Sequence, residues 1–444
     1  MRPVTELPID PERAVIHEQG WQSWSPSTGY SPGSPPHRPA TDVRRIGAWR
    51  AESLPAPEVY RGEGLIAIDP GDGGPVHVIA SADPVNSVPA IDVSIAGSTA
   101  VVSAGGDVVI RKDSGPDGIQ GALARWADDV AASLGLPAPR PAPTIWCSWY
   151  QYFTKVTESN VDSNLALMGS LPIDVVQVDD GYQAEIGDWL IPSPDFTDVP
   201  ALFARILDSG RRAGIWTAPF LVGAKSVVAA EHPDWLVRNY DGSPVSAGHN
   251  WNQDLYALDS THPGAAEYLS TVYRTFRGWG IDFHKIDFIY AGALFGKRYA
   301  DIDPIAAYRD ALRLIRDAIG ADAYLLGCGA PQLPSIGLVD AMRVSPDIAP
   351  TYLPPDGDIS MPGQWGAALN GVSRAFQHGR FWVNDPDCIV ARPGIERREE
   401  WAAHVSRFGG LRGSSDGLDQ LDDWGMETTH RLLSEPIPRH FIPS

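Results

Sequence analysis

Residues 136–149, LPAPRPAPTIWCSW, mark a change in the pattern of the chain. Half of the first eight residues are proline, which makes the segment too stiff and too poor in backbone donors for a helix or a central strand. The apolar run 144–149 follows at once. We therefore predict a linker here, with a second domain beginning at residue 144.

Beyond the linker, short apolar runs alternate with stretches of helical periodicity. This alternation is typical of βαβ units around a parallel sheet. The apolar runs are residues 144–149, 174–178, 214–218, 283–286, 323–327, 341–345, 380–383 and 410–413. The predicted helices between them are residues 159–168, 201–213, 263–279, 304–319, 364–378 and 396–408. Eight strands with interposed helices predict an α/β fold, a closed (β/α)₈ TIM barrel over residues 144–444.

The first 120 residues lack helical periodicity. Short alternating segments at 90–95 and 101–110, with a turn at Ala104-Gly105-Gly106, indicate strands. We predict a small, mostly β, sandwich-like domain over residues 1–120. Residues 121–143 then form an amphipathic helix, at 121–134, and the Pro-rich linker.

Composition narrows the classes of function. The chain has 444 residues and a formal net charge of −20, which disfavours nucleic acid and anionic membranes as partners but does not repel a neutral substrate. The three cysteines are far apart in sequence and suggest no disulfide framework or zinc site. The N-terminus has no apolar signal run, and no stretch approaches a transmembrane span. These features predict a cytoplasmic protein, and they leave homo-oligomerisation open.

Nearly every predicted strand ends in a residue able to bind or cleave a sugar, and barrel enzymes work at these ends. These residues are Trp149, Asp179, Asp180, Trp216, Lys285, Asp287, Cys328, Arg343, Asp347, Asp385 and Asp387. A single strand-end Asp is as well explained by helix capping, since an Asp before a helix accepts N–H groups of its first turn. The hypothesis of a sugar-binding site therefore rests on the number of such strand-end residues rather than on any single one.

Two clusters indicate a functional site more specifically, and the first is the segment His284-Lys285-Ile286-Asp287-Phe288. Side chains two apart on a strand face the same way, so Lys285 and Asp287 are predicted to point into the barrel mouth, and Ile286 and Phe288 to pack on the other side. A cation beside Asp287 keeps it ionised, as a nucleophile must be. A buried structural ion pair is the alternative interpretation.

The second cluster is Arg343-Val344-Ser345-Pro346-Asp347. Asp347 is predicted to lie beyond the strand on a loop that Pro346 restrains, where it can reach a leaving group from the opposite side. An acid in this role needs a raised pKa. Two carboxylates that flank one bond are the minimum equipment for glycoside hydrolysis.

The 15 tryptophans favour a carbohydrate substrate, because flat rings cover the apolar face of a pyranose. Several occur beside strand ends or in the N-terminal domain, in WCSW (146–149), GIW (214–216) and GWQSW (20–24). Any one of them is more often a core residue.

Motifs of competing classes are missing or incomplete. No HExxH or GxGxxG occurs, and the segment 292–298, GALFGKR, is one residue short of a P-loop. We therefore predict a hydrolase that uses neither a cofactor nor a metal.

Taken together, the motifs resemble those of glycoside hydrolase family 36, the microbial α-galactosidases or melibiases, and more closely its thermophilic bacterial members. The resemblance spans the predicted barrel in order, about two thirds of the chain. It lies in WCSWYQYF (146–153), VQVDDGYQAEIGDWL (176–190), GIWTAPF (214–220), FHKIDFIYAG (283–292), LLGCGAP (325–331), MRVSPDIAP (342–350) and FWVNDPDC (381–388).

This resemblance implies retaining hydrolysis of terminal α-D-galactosides, such as melibiose or raffinose-type oligosaccharides. It makes Asp287 the nucleophile that forms a covalent galactosyl-enzyme and Asp347 the acid/base. It also implies that Asp179 and Asp180 hold the axial 4-hydroxyl and the 6-hydroxyl. The remaining implied sugar contacts are Trp24, lent by the small domain, and Trp149, Trp216, Lys285, Cys328 and Arg343.

The sequence departs from the family in two places. Its N-terminal β domain is short, and the family's C-terminal sheet domain is expected to be absent. Alternatives with the same machinery stay open: a β-L-arabinopyranoside or α-N-acetylgalactosaminide donor, or transfer to a sugar acceptor. A non-catalytic sugar-binding barrel is a further alternative.

Overall fold

In the computed structural model, residues 1–40, 45–50 and 53–441 are described. Two antiparallel sheets come first in the chain and a ring of parallel strands surrounded by helices comes second. No helix in these ranges is both long and apolar enough to cross a membrane.

The N-terminal sheets have the strand orders β1-β8-β7-β4 and β3-β2-β5-β6-β9. Their strands are β1 (Arg2–Pro8), β2 (Val15–Glu18), β3 (Thr28–Tyr30), β4 (Tyr60–Glu63), β5 (Leu65–Asp69), β6 (Val76–Ser81), β7 (Ala90–Ala96), β8 (Thr99–Ala104) and β9 (Val108–Asp113). Ile16, Ile68, Ile91 and Val102 belong to the apolar core that these strands share. Because successive side chains of a strand point to opposite faces, two packed sheets are the natural product of the alternating pattern.

The second sheet is buried on both faces, which joins the two parts of the molecule. Ile66 and Ile68 of β5 belong to the core of the sandwich, whereas Leu65 and Ala67 belong to the large core that contains the barrel. Helix α1 (Gly118–Ser133) packs on this second face through Leu123 and neighbouring apolar residues. The Pro-rich linker after it has no regular structure, as predicted.

The second part of the chain is a (β/α)₈ barrel. Its strands are β10 (Ile145–Cys147), β11 (Val175–Val178), β12 (Arg212–Thr217), β13 (Leu221–Gly223), β14 (Ser246–Asn250), β15 (Gln253–Ala257), β16 (Ile281–Ile286), β17 (Tyr324–Gly327), β18 (Ala341–Arg343), β19 (Val383–Asp385) and β20 (Gly413–Ser414). The parallel order is β19-β18-β17-β16-β12-β11-β10-β20, and a parallel bridge between Ile389 and Ser414 closes the ring. Strands β13, β15 and β14 form a separate small antiparallel sheet.

The helices of the barrel follow the predicted alternation. They are α2 (Trp149–Tyr152), α3 (Glu158–Leu167), α4 (Val199–Asp208), α5 (Val227–Glu231), α6 (Pro263–Gly278), α7 (Pro304–Ile319), α8 (Gln364–Ser373), α9 (Arg398–Phe408) and α10 (Asp423–Ser434). Local chemistry defines their starts: the Asp198 and Asp303 carboxylates cap α4 and α7, each with a proline in the first turn.

Several predicted boundaries are wrong by a few residues. The predicted helix 364–378 ends as α8 at Ser373 and continues only as a short 3-10 turn, Ala375–Gln377. Gly379, at a φ of 73°, then redirects the chain, so the seventh barrel strand is Val383–Asp385 rather than residues 380–383. The division of the chain into the three predicted segments stays a prediction.

Candidate active site

A pocket of about 260 Å³ opens at the carboxyl ends of the parallel strands. Eight of the ten predicted site residues line it: Trp24, Trp149, Asp179, Asp180, Trp216, Lys285, Asp287 and Asp347. Trp24 reaches it from the N-terminal sandwich of the same chain. The topology thus brings together residues from six segments of the chain that lie far apart in sequence.

Asp287, one residue beyond β16, is surrounded by donors. The indole N–H of Trp216 donates to Asp287 Oδ2 at 3.1 Å, and the backbone N–H of Phe288 donates to Oδ1 at 2.8 Å. Lys285 Nζ lies 3.7 Å from Oδ2. Hydrogen bonds and a cation of this kind stabilise the charged form of a carboxylate and hold its orientation.

Lys285 is a buried cation between two carboxylates. Its Nζ lies 3.0 Å from Asp179 Oδ2 and faces Asp287 from the other side. Burial lowers the pKa of Lys285, but the charges of Asp179 and Asp287 outweigh it and raise the pKa well above its ordinary value. The ammonium therefore keeps its charge at neutral pH.

Asp179 and Asp180 form an adjacent acidic pair after β11. Gln177 Nε2 donates to Asp179 Oδ2 at 2.6 Å, and Trp251 Nε1 donates to Asp180 Oδ2 at 2.8 Å. Burial raises the pKa of Asp180 to about 6, with a further increase from Asp179. Two oriented carboxylates at one wall are suited to accept hydrogen bonds from sugar hydroxyls.

Asp347 lies on the opposite part of the wall, on the loop after β18. Arg343 Nη1 donates to its Oδ1 at 2.9 Å, and about 30% of the Asp347 side chain is exposed. Desolvation, together with the nearby charges of Asp387 and Asp287, raises the pKa of Asp347 to about 7 against the opposing charge of Arg343. A carboxyl of this kind can hold a proton near neutral pH.

Arg343 and Cys328 are not among the residues that line the pocket. Arg343 is buried, with Nε 2.9 Å from Asp385 Oδ2 and Nη2 2.8 Å from Asp387 Oδ1, in addition to its bond with Asp347. Cys328 is also buried, and this burial raises the pKa of its thiol well above the ordinary value. Their direct sugar contacts therefore stay a prediction.

The prediction for Phe288 is wrong. Strand β16 ends at Ile286, and Phe288 has a φ of 52°, so the alternation of side chains does not continue through it. Its ring lines the pocket and packs edge-to-face with the Trp24 ring, with 4.9 Å between the two ring centroids. Only Ile286 of this pair packs in the core.

Sequence reasoning missed several pocket residues, chiefly Trp251 and Tyr290. Trp251 lies in the turn between β14 and β15, at a φ of 50°, in a segment that was not predicted as a strand pair. The one available signal was a large aromatic between two Asn residues, Asn250 and Asn252, in an otherwise polar turn.

Not every predicted tryptophan serves the pocket. Trp146 is fully buried and donates its indole N–H to the Asp416 carbonyl at 2.9 Å. Trp21 is buried against the guanidinium of Arg50, 4.8 Å from its ring centroid. The motifs WCSW and GWQSW therefore each contribute one tryptophan to the core and one to the pocket.

The family model for melibiase matches residues 138–291. Among solved structures, an α-galactosidase from Thermus thermophilus, in complex with p-nitrophenyl α-D-galactopyranoside, is 30% identical with a TM-score of 0.83, over 98% of this chain and 89% of that chain. A glycoside hydrolase family 36 α-galactosidase from Geobacillus stearothermophilus shares the fold, with 14% identity and a TM-score of 0.64 over 97% of this chain and 61% of that chain.

A curated relative from Flavonifractor plautii is named an A type blood α-D-galactosamine galactosaminidase. It is 26% identical over 260 residues, 54% of this chain and 24% of the relative. The match thus spans only about a quarter of that protein. The match to the Thermus enzyme, by contrast, covers nearly all of both chains, and with the melibiase model it shows that the chain belongs to glycoside hydrolase family 36.

Proposed function

We propose that the protein hydrolyses terminal α-D-galactosides, such as melibiose or raffinose-type oligosaccharides, with retention of configuration. The observation that carries this proposal is that Asp287 and Asp347 line one pocket, Asp287 beside Lys285 and the indole N–H of Trp216, and Asp347 with a raised pKa. Retaining glycosidases need one ionised and one protonated carboxyl across the scissile bond. A neutral sugar also suits a chain with a net charge of −20.

In the first step, Asp287 attacks the anomeric carbon while Asp347 gives its proton to the departing glycosidic oxygen. The bond to the aglycone breaks, and a covalent galactosyl-enzyme forms on the Asp287 carboxylate. In the second step, Asp347 removes a proton from water, which attacks the same carbon and releases Asp287. We expect the two carboxyl groups to lie about 5–5.5 Å apart in the sugar complex.

Sugar recognition is assigned to the opposite wall and the aromatic rings. Asp179 and Asp180 would accept hydrogen bonds from the axial 4-hydroxyl and the 6-hydroxyl, and Lys285 would donate to a neighbouring hydroxyl. Trp251 and Gln183 each donate to one oxygen of Asp180, and together they fix the orientation of this carboxylate in the pocket wall. The rings of the lining tryptophans would cover the apolar face of the pyranose.

The test is a panel of aryl glycosides given to the wild-type protein and to Asp287→Asn, with the anomer of the first product followed by NMR. We expect turnover of the α-galactoside with α-galactose formed first, and loss of turnover in the variant. Asp282→Asn is a matched control, since Asp282 lies on the same strand but at its other end, paired with Arg212. Activity that persists in Asp287→Asn would remove the nucleophile assignment.

The same panel separates the alternatives. Turnover of a β-L-arabinopyranoside or an α-N-acetylgalactosaminide that is faster than that of the α-galactoside would identify that sugar as the donor. Products that appear only with a sugar acceptor would indicate a transglycosidase. Galactose binding without turnover would indicate a sugar-binding barrel. A cytoplasmic location stays a prediction from the sequence, and homo-oligomeric assembly stays open.

A further inference from the structure

Trp24 enters the pocket on a loop of the sandwich that is inserted into the barrel mouth. The centroid of its ring lies 4.9 Å from that of Phe288 and 6.1 Å from that of Tyr290, and both pairs are edge-to-face. Gly329 makes room for it: a Cβ on that residue, which has a φ of 52°, would come within 2.9 Å of the Trp24 ring. The position of Trp24 thus depends on how the loop is held against the barrel.

Arg374, the residue after α8, binds this loop from the barrel side. Its Nη2 donates to the carbonyls of Gln22 at 3.0 Å and Ser25 at 3.1 Å, and its Nη1 donates to the carbonyl of Ser23 at 2.7 Å. These three carbonyls surround Trp24 in sequence. The guanidinium therefore fixes the backbone on both sides of the tryptophan.

A fourth bond links the same guanidinium to the strand that precedes Asp347. Arg374 Nη1 donates to the Val344 carbonyl at 2.8 Å, just beyond the end of β18 and three residues before Asp347. One side chain thus joins the loop of Trp24 to the segment that carries the proposed acid/base.

This arrangement is costly for the fold. Arg374 has no exposed surface, burial alone lowers its pKa to about 9, and in the described ranges its Nε finds no acceptor. Buried charges are usually paired with an opposite charge, because desolvation of an ion is expensive. Among the described residues, the guanidinium of Arg374 is met by four carbonyl groups and by no carboxylate.

We propose that Arg374 is a positioning residue, which holds the Trp24 ring at the substrate and couples its loop to the acid/base segment. Arg374 is not among the residues that line the pocket, so it acts through Trp24, and its bond to the Val344 carbonyl anchors the Trp24 loop to the barrel. This inference is read out through the α-galactosidase activity proposed above, and one of its two tests does not depend on that activity.

The first test is a double-mutant cycle on kcat/KM with Arg374→Lys and Trp24→Ala. A lysine keeps the charge but cannot span four carbonyls in a planar fork. Since a misplacement of about 1 Å can cost up to about 100-fold, we expect Arg374→Lys to lower kcat/KM about tenfold in wild type and less than about twofold in Trp24→Ala. Such a loss of effect would show that Arg374 acts through Trp24, whereas effects that multiply would overturn the proposal.

Arg412→Lys is the matched control. Arg412 is also buried, and it donates to the carbonyls of Leu432 at 2.8 Å and Ser406 at 2.9 Å, far from the loop in sequence and contacts. Its effect should be the same with and without Trp24. If Arg374→Lys does not fold, Asn370→Ala replaces it, because Asn370 Oδ1 accepts the Ser27 N–H at 2.7 Å at the end of the same loop.

The second test observes the tryptophan itself. The protein is labelled with 5-fluorotryptophan, the ¹⁹F resonance of Trp24 is assigned with Trp24→Phe, and Arg374→Lys is compared with Arg412→Lys. We expect the Trp24 resonance to shift or broaden in the first variant only. An unmoved resonance would overturn the inference even if the protein proves to have another substrate, and a moved resonance in an inactive protein would leave the proposed function, not this inference, at fault.

Discussion

On one side of the pocket, Asp287 shares the Lys285 cation with a single further carboxylate, Asp179. On the other side, Asp347 shares the Arg343 cation with two further carboxylates, Asp385 and Asp387. The residue type is the same, but the ratio of cation to anion differs. Desolvation and the additional carboxylate beside Arg343 favour the protonated form of Asp347.

Donor groups make the same distinction. Asp287 receives the indole N–H of Trp216 and the backbone N–H of Phe288, both of which favour a carboxylate. Within the described ranges, the Asp347 carboxyl accepts a bond from Arg343 but no such pair, and desolvation raises its pKa to about 7. Surroundings rather than residue type therefore divide the roles of nucleophile and acid between two aspartates.

The largest effect should come from replacing each aspartate and varying the leaving group. For Asp347→Ala we expect a loss of about 10²–10⁴-fold on melibiose, whose leaving group needs a proton, and a much smaller loss on p-nitrophenyl α-galactoside. For Asp287→Ala the loss should be large on both, since every substrate needs the nucleophile. Steady-state kinetics of both variants on both substrates measure this. Equal losses in the two variants on both substrates would contradict the division of roles.

Trp251→Phe should have a smaller effect, confined to the sugar wall. The variant loses the 2.8 Å bond to Asp180 but keeps an aromatic ring in the pocket. A hydrogen bond to a charged group contributes about 1.5–3 kcal/mol, so we expect kcat/KM for the α-galactoside to fall at least about tenfold. Its pH optimum on the alkaline side should not move, because Asp347 is unaffected. A KM unchanged from wild type would argue against Asp180 as a sugar ligand.

Asp387→Asn tests whether the charge of Asp387 contributes to the raised pKa of Asp347. After desolvation, the charge of Asp387 contributes most to the raised pKa of Asp347. The acid must be protonated, so kcat/KM of the wild type should fall as the pH rises through about 7. Neutralising Asp387 should move this fall to lower pH by about one unit. Asp282→Asn serves as the control with no shift, and an unshifted alkaline limb in Asp387→Asn would contradict the account.

The smallest expected effect is on stability. The pKa of Asp347 is raised on folding, so its contribution to stability is greatest at low pH and is lost as the pH rises toward about 7. Asp347→Asn does not titrate, and its Tm should therefore exceed that of wild type by about 1–2 °C at pH 8 and by less at pH 5. Thermal unfolding followed by circular dichroism, with Asp317→Asn on the exposed face of α7 as control, measures this difference. A gain in Tm that is larger at pH 5 than at pH 8 would contradict the raised pKa of Asp347.

Sequence reasoning located the barrel because its buried parallel strands are short apolar runs, and a polar residue at the end of such a run falls at the pocket. Asp179, Lys285 and Asp287 were found in this way, and all three line the cavity. The predicted orientation of the Phe288 side chain was wrong because the sequence gives no sign that a non-glycine residue has a positive φ.

Other features depend on contacts between distant segments. The bonds of Arg374 to residues 22–25 join positions about 350 apart in sequence, and no local pattern announces them. Likewise, Asp385 and Asp387 were predicted only as strand-end residues, whereas their role as partners of Arg343 follows from the neighbouring strands β18 and β19.

Azide rescue tests the division of roles most directly. Each aspartate is replaced by alanine in turn, and the variant is given an activated aryl α-galactoside with sodium azide. In Asp347→Ala, azide should attack the β-linked galactosyl-enzyme and yield α-galactosyl azide. In Asp287→Ala, azide should take the place of the missing carboxylate, attack the substrate directly and yield β-galactosyl azide. NMR of the products should show these opposite anomers, and the same anomer from both variants, or the reverse assignment, would contradict the account.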